Sequence, residues 1–299
     1  MEVRGSGFPP STPFQVLVDG AVVGSGSSTI GGWVIRTITI GRLLDIGSHN
    51  LSVSCGGVLG QTELVVSQWP VNATVAPRSL RPGEWLTVRG EGYPPLGYFE
   101  IHLSGHRIAT GSTDQQGTIE VSYRLPETQP LGVQGLDVTA PMYAGPPSVS
   151  LVINVTPWEP HVQLEPSTPK PGQVVQISAE GLPPNAYYEV SIDGAVILVG
   201  TADASGAFTR GYALQPQVSI GLHTLTLTVP SFTGPPGDTV EFEAIPWPVE
   251  ISIHPDEIHP GTEIQIAAKG LPPLSPFIMR LDSDPIASGT ANSSGEASV

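Results

Sequence analysis

Period-two alternation of apolar and polar residues runs through most of the chain. Phe14-Gln15-Val16-Leu17-Val18, Phe99-Glu100-Ile101-His102-Leu103, Tyr188-Glu189-Val190-Ser191-Ile192 and Phe277-Ile278-Met279-Arg280-Leu281 each put an aromatic and two further apolar residues on one face. The other face is mostly polar, which predicts strands with one side on a core. Asp19-Gly20 and Asp193-Gly194 follow two of these strands and supply the positive-φ residues of a tight hairpin. A second hairpin is predicted at Thr113–Gly117, Asp203–Gly206 and Asn292–Gly295. Later strands carry Leu51-Val53-Cys55, Leu136-Val138-Ala140 and Leu225-Leu227-Val229 on their inward faces. Cys55 thus aligns with Ala140 and Val229 and reads as a small core residue, not a reactive thiol.

The alternation is itself repeated. Gly-X-Pro-Pro occurs at Gly7-Phe8-Pro9-Pro10, Gly92-Tyr93-Pro94-Pro95, Gly181-Leu182-Pro183-Pro184 and Gly270-Leu271-Pro272-Pro273, with spacings of 85, 89 and 89. Trp69, Trp158 and Trp247 recur at 89, as do Pro77, Pro166 and Pro255, and Gly83, Gly172 and Gly261. Four markers in one register define a repeat of 89 residues. The shorter first spacing is traced to the last hairpin, where the second and third repeats carry Gly145-Pro146-Pro147 and Gly234-Pro235-Pro236. A length difference belongs at a loop tip, so the strand assignment survives it. The predicted domains are repeat 1 at 1–69, repeat 2 at 70–158, repeat 3 at 159–247 and a partial repeat 4 at 248–299.

In this register Met1 aligns with Leu86 and Val299 with Arg210, so both terminal repeats are expected to be incomplete. Strand donation from a neighbouring copy and continuation into a longer repetitive chain are both compatible with that. The two ends duplicate the stretch from second to fifth strand, which favours continuation into further repeats.

Seven short strands per repeat, with a turn every 8–12 residues, predict an all-β fold of tandem immunoglobulin-like β-sandwiches. The run Pro-Gly-X-X-strand-Gly-X-Pro-Pro, the Asp-Gly hairpin, the Asp-X-X-Gly turn and Gly-X-His-X-Leu together resemble the Ig-like repeats of bacterial and archaeal cell-surface proteins, over the whole chain. This resemblance implies an extended array serving as a stalk, adhesin, filament or sheath component. The Cys…Trp…Cys pattern of disulfide-pinned antibody domains is absent.

Composition narrows the function classes. Glycine (35) and proline (32) are abundant while charged residues are only 13%, as suits a turn-rich β protein rather than a helical or disordered one. The formal charge of −15 repels phosphate backbones, so no nucleic-acid partner is expected. One cysteine permits no intrachain disulfide and leaves the redox compartment open. No apolar run approaches the ~20 residues of a membrane span, and no signal peptide follows Met1, so no direct membrane insertion is expected of this segment.

Four of the five asparagines, Asn50, Asn72, Asn154 and Asn292, lie in Asn-X-Ser/Thr sequons and are predicted N-glycosylation acceptors if the chain is exported. Asn50 is expected to point outward. Trp69, Trp158 and Trp247 are predicted to pack at the domain junctions, with carbohydrate stacking as the lesser alternative. His49 and His223 share one repeat position in separate domains and so cannot share an ion; a structural role is expected. His254 and His259, with Asp256 and Glu257 between them, make the weaker metal candidate. The Asp114, Asp203, Asp282 and Asp284 carboxylates are accounted for by turn chemistry rather than calcium. No catalytic constellation, metal site or cofactor is expected. The reading is a non-enzymatic structural or adhesive extracellular protein, self-associating or continuing into further repeats, with glycans as candidate partners. The alternative is a spacer or carbohydrate-binding segment of a secreted multidomain enzyme, and a weaker third reading is decoration of a phage or virus particle.

Overall fold

The structure, a computed structural model, describes residues 1–299. Regular secondary structure is β-strand throughout. Repeat 1 contains β1 (Glu2–Gly5), β2 (Pro13–Val18), β3 (Ala21–Ser27), β4 (Val34–Thr37), β5 (Gly47–Cys55) and β6 (Val58–Val66). Repeat 2 contains β7 (Asn72–Ala76), β8 (Ser79–Leu80), β9 (Trp85–Glu91), β10 (Tyr98–Leu103), β11 (His106–Ser112), β12 (Ile119–Arg124), β13 (Gly132–Thr139) and β14 (Ser148–Val155). Repeat 3 contains β15 (His161–Glu165), β16 (Val174–Glu180), β17 (Tyr187–Ile192), β18 (Ala195–Thr201), β19 (Phe208–Ala213), β20 (Gly221–Thr228) and β21 (Gly237–Ala244). Repeat 4 contains β22 (Glu250–His254), β23 (Gln265–Lys269), β24 (Pro276–Leu281), β25 (Asp284–Thr290) and β26 (Ala297–Ser298). Two compact units divide the chain, Met1–Thr156 and Pro157–Val299, each holding two repeats.

The chain is a tandem series of immunoglobulin-like sandwiches. In repeat 2 the sheet β12-β9-β7 faces the sheet β11-β10-β13-β14-β8, with β8 joining β14 in parallel. Repeat 3 pairs β15-β16-β19 with β18-β17-β20-β21. Repeat 1 has β1-β4 against β3-β2-β5-β6, and repeat 4 has β22-β23-β26 with β24-β25. Three separate apolar cores fill repeats 1, 2 and 3. The alternation places them: Phe14, Val16 and Val18, then Phe99, Ile101 and Leu103, then Tyr188, Val190 and Ile192, are all buried. In repeat 4 the corresponding face is open, and Leu281 is 61% exposed.

The aromatic of each such strand lies over a glycine of the next strand: Phe14 pairs with Gly26, Phe99 with Gly111, Tyr188 with Gly200 and Phe277 with Gly289. A β-carbon on Gly111 or Gly26 would stand within 2.9 Å of its ring, so the small residue is a packing requirement. The predicted hairpin after this strand is present in every repeat. Asp19 and Gly20 have φ of 50° and 82°, and Asp193 and Gly194 have 49° and 82°. Ser104-Gly105 and Asp282-Ser283 adopt the same conformation.

The second predicted hairpin is different in kind. β11 and β12 do not pair; they belong to opposite sheets, as do β18 and β19. Thr113–Gly117, Asp203–Gly206 and Asn292–Gly295 are therefore crossings between sheets. Asp203 Oδ1 accepts the Ser205 and Ala207 N–H groups at 2.8 and 3.0 Å, and Asp114 and Asn292 act alike. Repeat 1 builds the same crossing with Thr29, whose Oγ1 accepts the Trp33 N–H at 3.0 Å, which is why no acidic signature marks it in the sequence.

Each crossing is fastened to the Gly-X-Pro-Pro segment. The N–H of Phe8, Tyr93, Leu182 and Leu271 donates to the carbonyl of Gly32, Gly117, Gly206 and Gly295 at 3.0–3.1 Å. The side chains of Phe8, Tyr93 and Leu182 plug the core behind this contact. Tyr93 also donates its hydroxyl to the Val138 carbonyl at 3.1 Å, and burial pushes that phenol up to about 12. Gly206 has φ +77° and a β-carbon there would collide with the Leu182 carbonyl.

Three stability outcomes follow from this packing. Gly206→Ala is expected to cost at least about 2 kcal/mol in chemical denaturation. Gly135→Ala, where a β-carbon meets open space, is expected to lie within about 0.5 kcal/mol of wild type. Tyr188 stacks on Phe208 at 3.9 Å, but its buried hydroxyl has no hydrogen-bond partner where three repeats carry phenylalanine. Tyr188→Phe is therefore expected to stabilise repeat 3 by about 1 kcal/mol, read as a higher denaturation midpoint.

Candidate functional site

Within the unit Met1–Thr156, repeat 1 is fastened to repeat 2 by two loops. The loop between β4 and β5 presents Arg42 and Ile46; the loop between β13 and β14 presents Tyr143, Ala144 and Gly145. The Ala144 N–H donates to the Arg42 carbonyl at 2.9 Å. The Arg42 guanidinium lies over the Tyr143 ring, 5.5 Å from its centroid. Ile46 abuts Gly145, whose φ is +52° and whose missing β-carbon leaves room for Ile46 Cδ1. Trp69 meets Tyr143 edge-on, with centroids 6.4 Å apart and planes at 76°. Together with Ile40, Leu44 and Leu64 these residues line an apolar cleft of about 340 Å³. The loop-length difference in the sequence has a structural counterpart here. Repeat 1 turns from β5 to β6 on Gly56-Gly57 alone, whereas the longer loop of repeat 2 carries the docking residues.

Trp158 and Trp247 lie in the second unit. Trp158 is half-buried against the core of repeat 3. Trp247 donates its indole N–H to the Pro171 carbonyl at 2.9 Å, and Lys170 Nζ sits 5.0 Å from the ring centroid. That tryptophan therefore closes back on repeat 3, the repeat it ends.

A recurring arrangement is a histidine–aspartate clasp. In repeat 3, His223 Nδ1 is 2.6 Å from Asp193 Oδ2 and its Nε2 is 2.8 Å from the Ser219 carbonyl. Asp193 Oδ1 accepts the Thr224 N–H at 2.9 Å, and the imidazole stacks on Phe242 at 5.4 Å. Repeat 1 repeats it with His49, Asp19, the Asp45 carbonyl and the Asn50 N–H. Both ring nitrogens face an oxygen acceptor, which favours the imidazolium, although at His223 the Ser219 hydroxyl also lies 3.4 Å from Nε2. Accordingly the Asp193 carboxylate, then the Ser219 carbonyl, raise the His223 pKa, while the His223 donor and then the Thr224 N–H lower that of Asp193. In repeat 2 both partners change together: Ser104 donates to Gln134 Oε1 at 3.1 Å, and Gln134 Nε2 reaches the Pro130 carbonyl.

No protein-family profile matches the chain, and no curated protein matches it. Solved structures do. A tetra-tandem repeat from the extending region of a large adhesion protein is similar over 100% of this chain and 86% of its own, at 13% identity and TM-score 0.33. The Yersinia pseudotuberculosis adhesin InvE is similar over 58% of each chain, at 15% identity and TM-score 0.30. A tandem from titin is similar over 82% of this chain and 93% of its own, at 9% identity and TM-score 0.42. The likeness is to tandem adhesin and immunoglobulin-like repeats.

The four sequon asparagines are exposed and lie apart from one another on β5, β7, β14 and the last crossing turn. Asn292 is engaged in its turn: Oδ1 accepts two backbone N–H groups at 2.9 Å and Nδ2 donates to Glu296 at 3.3 Å. Asn50 points outward, its Nδ2 3.5 Å from Gln61 Oε1. Cys55 is buried, with Sγ 3.6 Å from the Thr12 carbonyl. The acidic side chains at Asp114 and Asp203 are committed to their turns, and no group of three or more potential ligands, around His254 and His259 or elsewhere, is assembled.

The clasp fixes a pH dependence. A raised folded pKa means that the His223 contribution is complete below its ordinary value of 6.5 and is lost as pH rises through the folded value. The lowered Asp193 contributes fully above its ordinary 3.8 and loses that as pH falls through its folded value. Calorimetry is expected to show the unit Pro157–Val299 melting lower at about pH 9 than at about pH 6. Asp193→Asn is expected to melt lower at about pH 6 and to lose most of that slope; an unchanged slope would refute the assignment.

Proposed function

We propose that the chain is a structural or adhesive component of a long extracellular or cell-surface repeat protein, a stalk-like segment in which repeats are joined in series and continue into further repeats of the same type. The observation that supports this reading is the joint of repeats 1 and 2. Arg42, Ile46, Tyr143, Gly145 and Trp69 are spent on fastening one sandwich to the next. A chain of sandwiches whose loops dock on each other transmits load and holds spacing, which is what a surface stalk or filament requires. The acidic charge of −15 suits a solvated outer surface and weakens non-specific association with nucleic acid. Self-association into a filament or sheath, attached glycans and a non-catalytic role belong to the same proposal.

A second reading rests on the exposed edge of Trp69, 41% accessible beside the apolar cleft. An aromatic at the rim of a cleft can stack on a sugar ring, as in a carbohydrate-binding segment of a secreted enzyme.

Single-molecule pulling separates the two. For a mechanical segment, repeats 2 and 3 are expected to unfold as discrete events, each releasing about 30 nm of chain, from 89 residues at ~3.4 Å each. Featureless extension without such events would overturn the structural reading. Glycan-array binding that disappears in Trp69→Ala would replace it with the second.

A further inference from the structure

We propose that His49 is a protonation-dependent latch on the joint between repeats 1 and 2, holding the Gly41–Ile46 loop in its docked position only while the imidazole carries both of its ring hydrogens. The geometry forms one continuous line. His49 stands on β5 with its side chain only 10% exposed. One nitrogen meets the Asp19 carboxylate at 2.6 Å, on the β2–β3 turn, and the other meets the Asp45 carbonyl at 2.7 Å. That carbonyl belongs to the same peptide unit as the Ile46 nitrogen, and Ile46 is the side chain seated on Gly145 of repeat 2. Three residues before Asp45, Arg42 supplies the carbonyl that accepts the Ala144 N–H and the guanidinium over Tyr143.

The charged surroundings of the ring are simple. Asp19 faces it from the β2–β3 turn, and Asp45 from the loop itself. Directly across on β6 the partner is Leu64, and the neighbouring Glu63 is taken by Ser48 Oγ at 2.5 Å. Arg42 is directed at Tyr143. No facing cation competes with the imidazolium. Asp19, and then the Asp45 carbonyl, raise the His49 pKa above its ordinary value of 6.5, so release lies on the alkaline side of that value.

When the proton leaves, one nitrogen becomes a lone pair set against an oxygen. The Asp19 carboxylate is the stronger acceptor and keeps the remaining hydrogen, so the Asp45 carbonyl is the partner that is lost. The loop end beside Ile46 is then untied. Repeat 2 carries an untitratable version of the same tie, Gln134 on the Pro130 carbonyl, so the sequence already holds the control.

Amide hydrogen exchange on the full chain tests this, with rates corrected for intrinsic pH dependence. In wild type, protection at Tyr143–Gly145 is expected to fall about tenfold between about pH 6 and about pH 8.5. In His49→Gln it is expected to change less than about twofold over the same range. Asp19→Asn is expected to show the low protection already at about pH 6. Unchanged protection in wild type, or an equal fall in His49→Gln, overturns the latch. Should the variants disturb folding, wild type alone decides. An NMR titration of the His49 ring and of the Ala144 amide must give coincident midpoints, and separate midpoints overturn the proposal.

Discussion

A two-sheet sandwich has to carry its chain from one sheet to the other without stranding backbone polar groups over the core. Here that constraint is met by one device in every repeat. The residue X of Gly-X-Pro-Pro donates its N–H to the crossing glycine, while in repeats 1 to 3 its side chain plugs the core beneath. The crossing glycine must be glycine because it sits at positive φ against the carbonyl of X. An Asp, Asn or Thr at the start of the crossing ties the turn internally. The strands before and after the crossing are thereby set in register on opposite sheets, and the cores of repeats 1 to 3 close around the plug.

Much of this could be read in the sequence because the constraint falls on residue types that have few substitutes. The markers at Gly92, Gly181 and Gly270, the aromatic-led strands and the inward Leu136-Val138-Ala140 face all identify themselves by period and identity. The turns at Asp114, Asp203 and Asn292 were equally visible, yet spacing alone could not separate a hairpin from a crossing. Both need a tight polar turn, and only strand pairing distinguishes them. The clasp was half visible. His49 and His223 stood out as a repeat position, and Asp19 and Asp193 as hairpin residues. What links the two pairs is that repeat 2 changes both members together, to Ser104 and Gln134. The joint residues Arg42, Ile46 and Tyr143 left least trace, because a loop contact between two repeats has no periodicity.

The repeats are thus alike in their frame and unlike in their fastenings. Repeat 1 has a two-glycine turn where repeat 2 has a docking loop. Repeats 1 and 3 hold the loop before β5 or β20 with an ionisable clasp, and repeat 2 holds it with an amide. Trp69 meets the repeat that follows it, whereas Trp247 bonds within its own repeat. Identity of position in the repeat therefore does not guarantee identity of task. The buried tyrosine hydroxyl of repeat 3, where other copies have phenylalanine, shows the same drift inside a core.

The two halves of the joint come from different places in the sandwich, and this has a consequence for how such chains grow. Repeat 1 offers the loop that precedes its strand β5, and repeat 2 receives it on the loop that follows β13, the equivalent strand. The two loops flank opposite ends of one strand type, so a single repeat has room for both a plug and a socket. Such a contact is heterologous: it has no twofold symmetry that would close it after one pairing. Duplication of a repeat that carried both loops would bring a matching fastener to each new boundary, and the gene could lengthen by copying without inventing an interface.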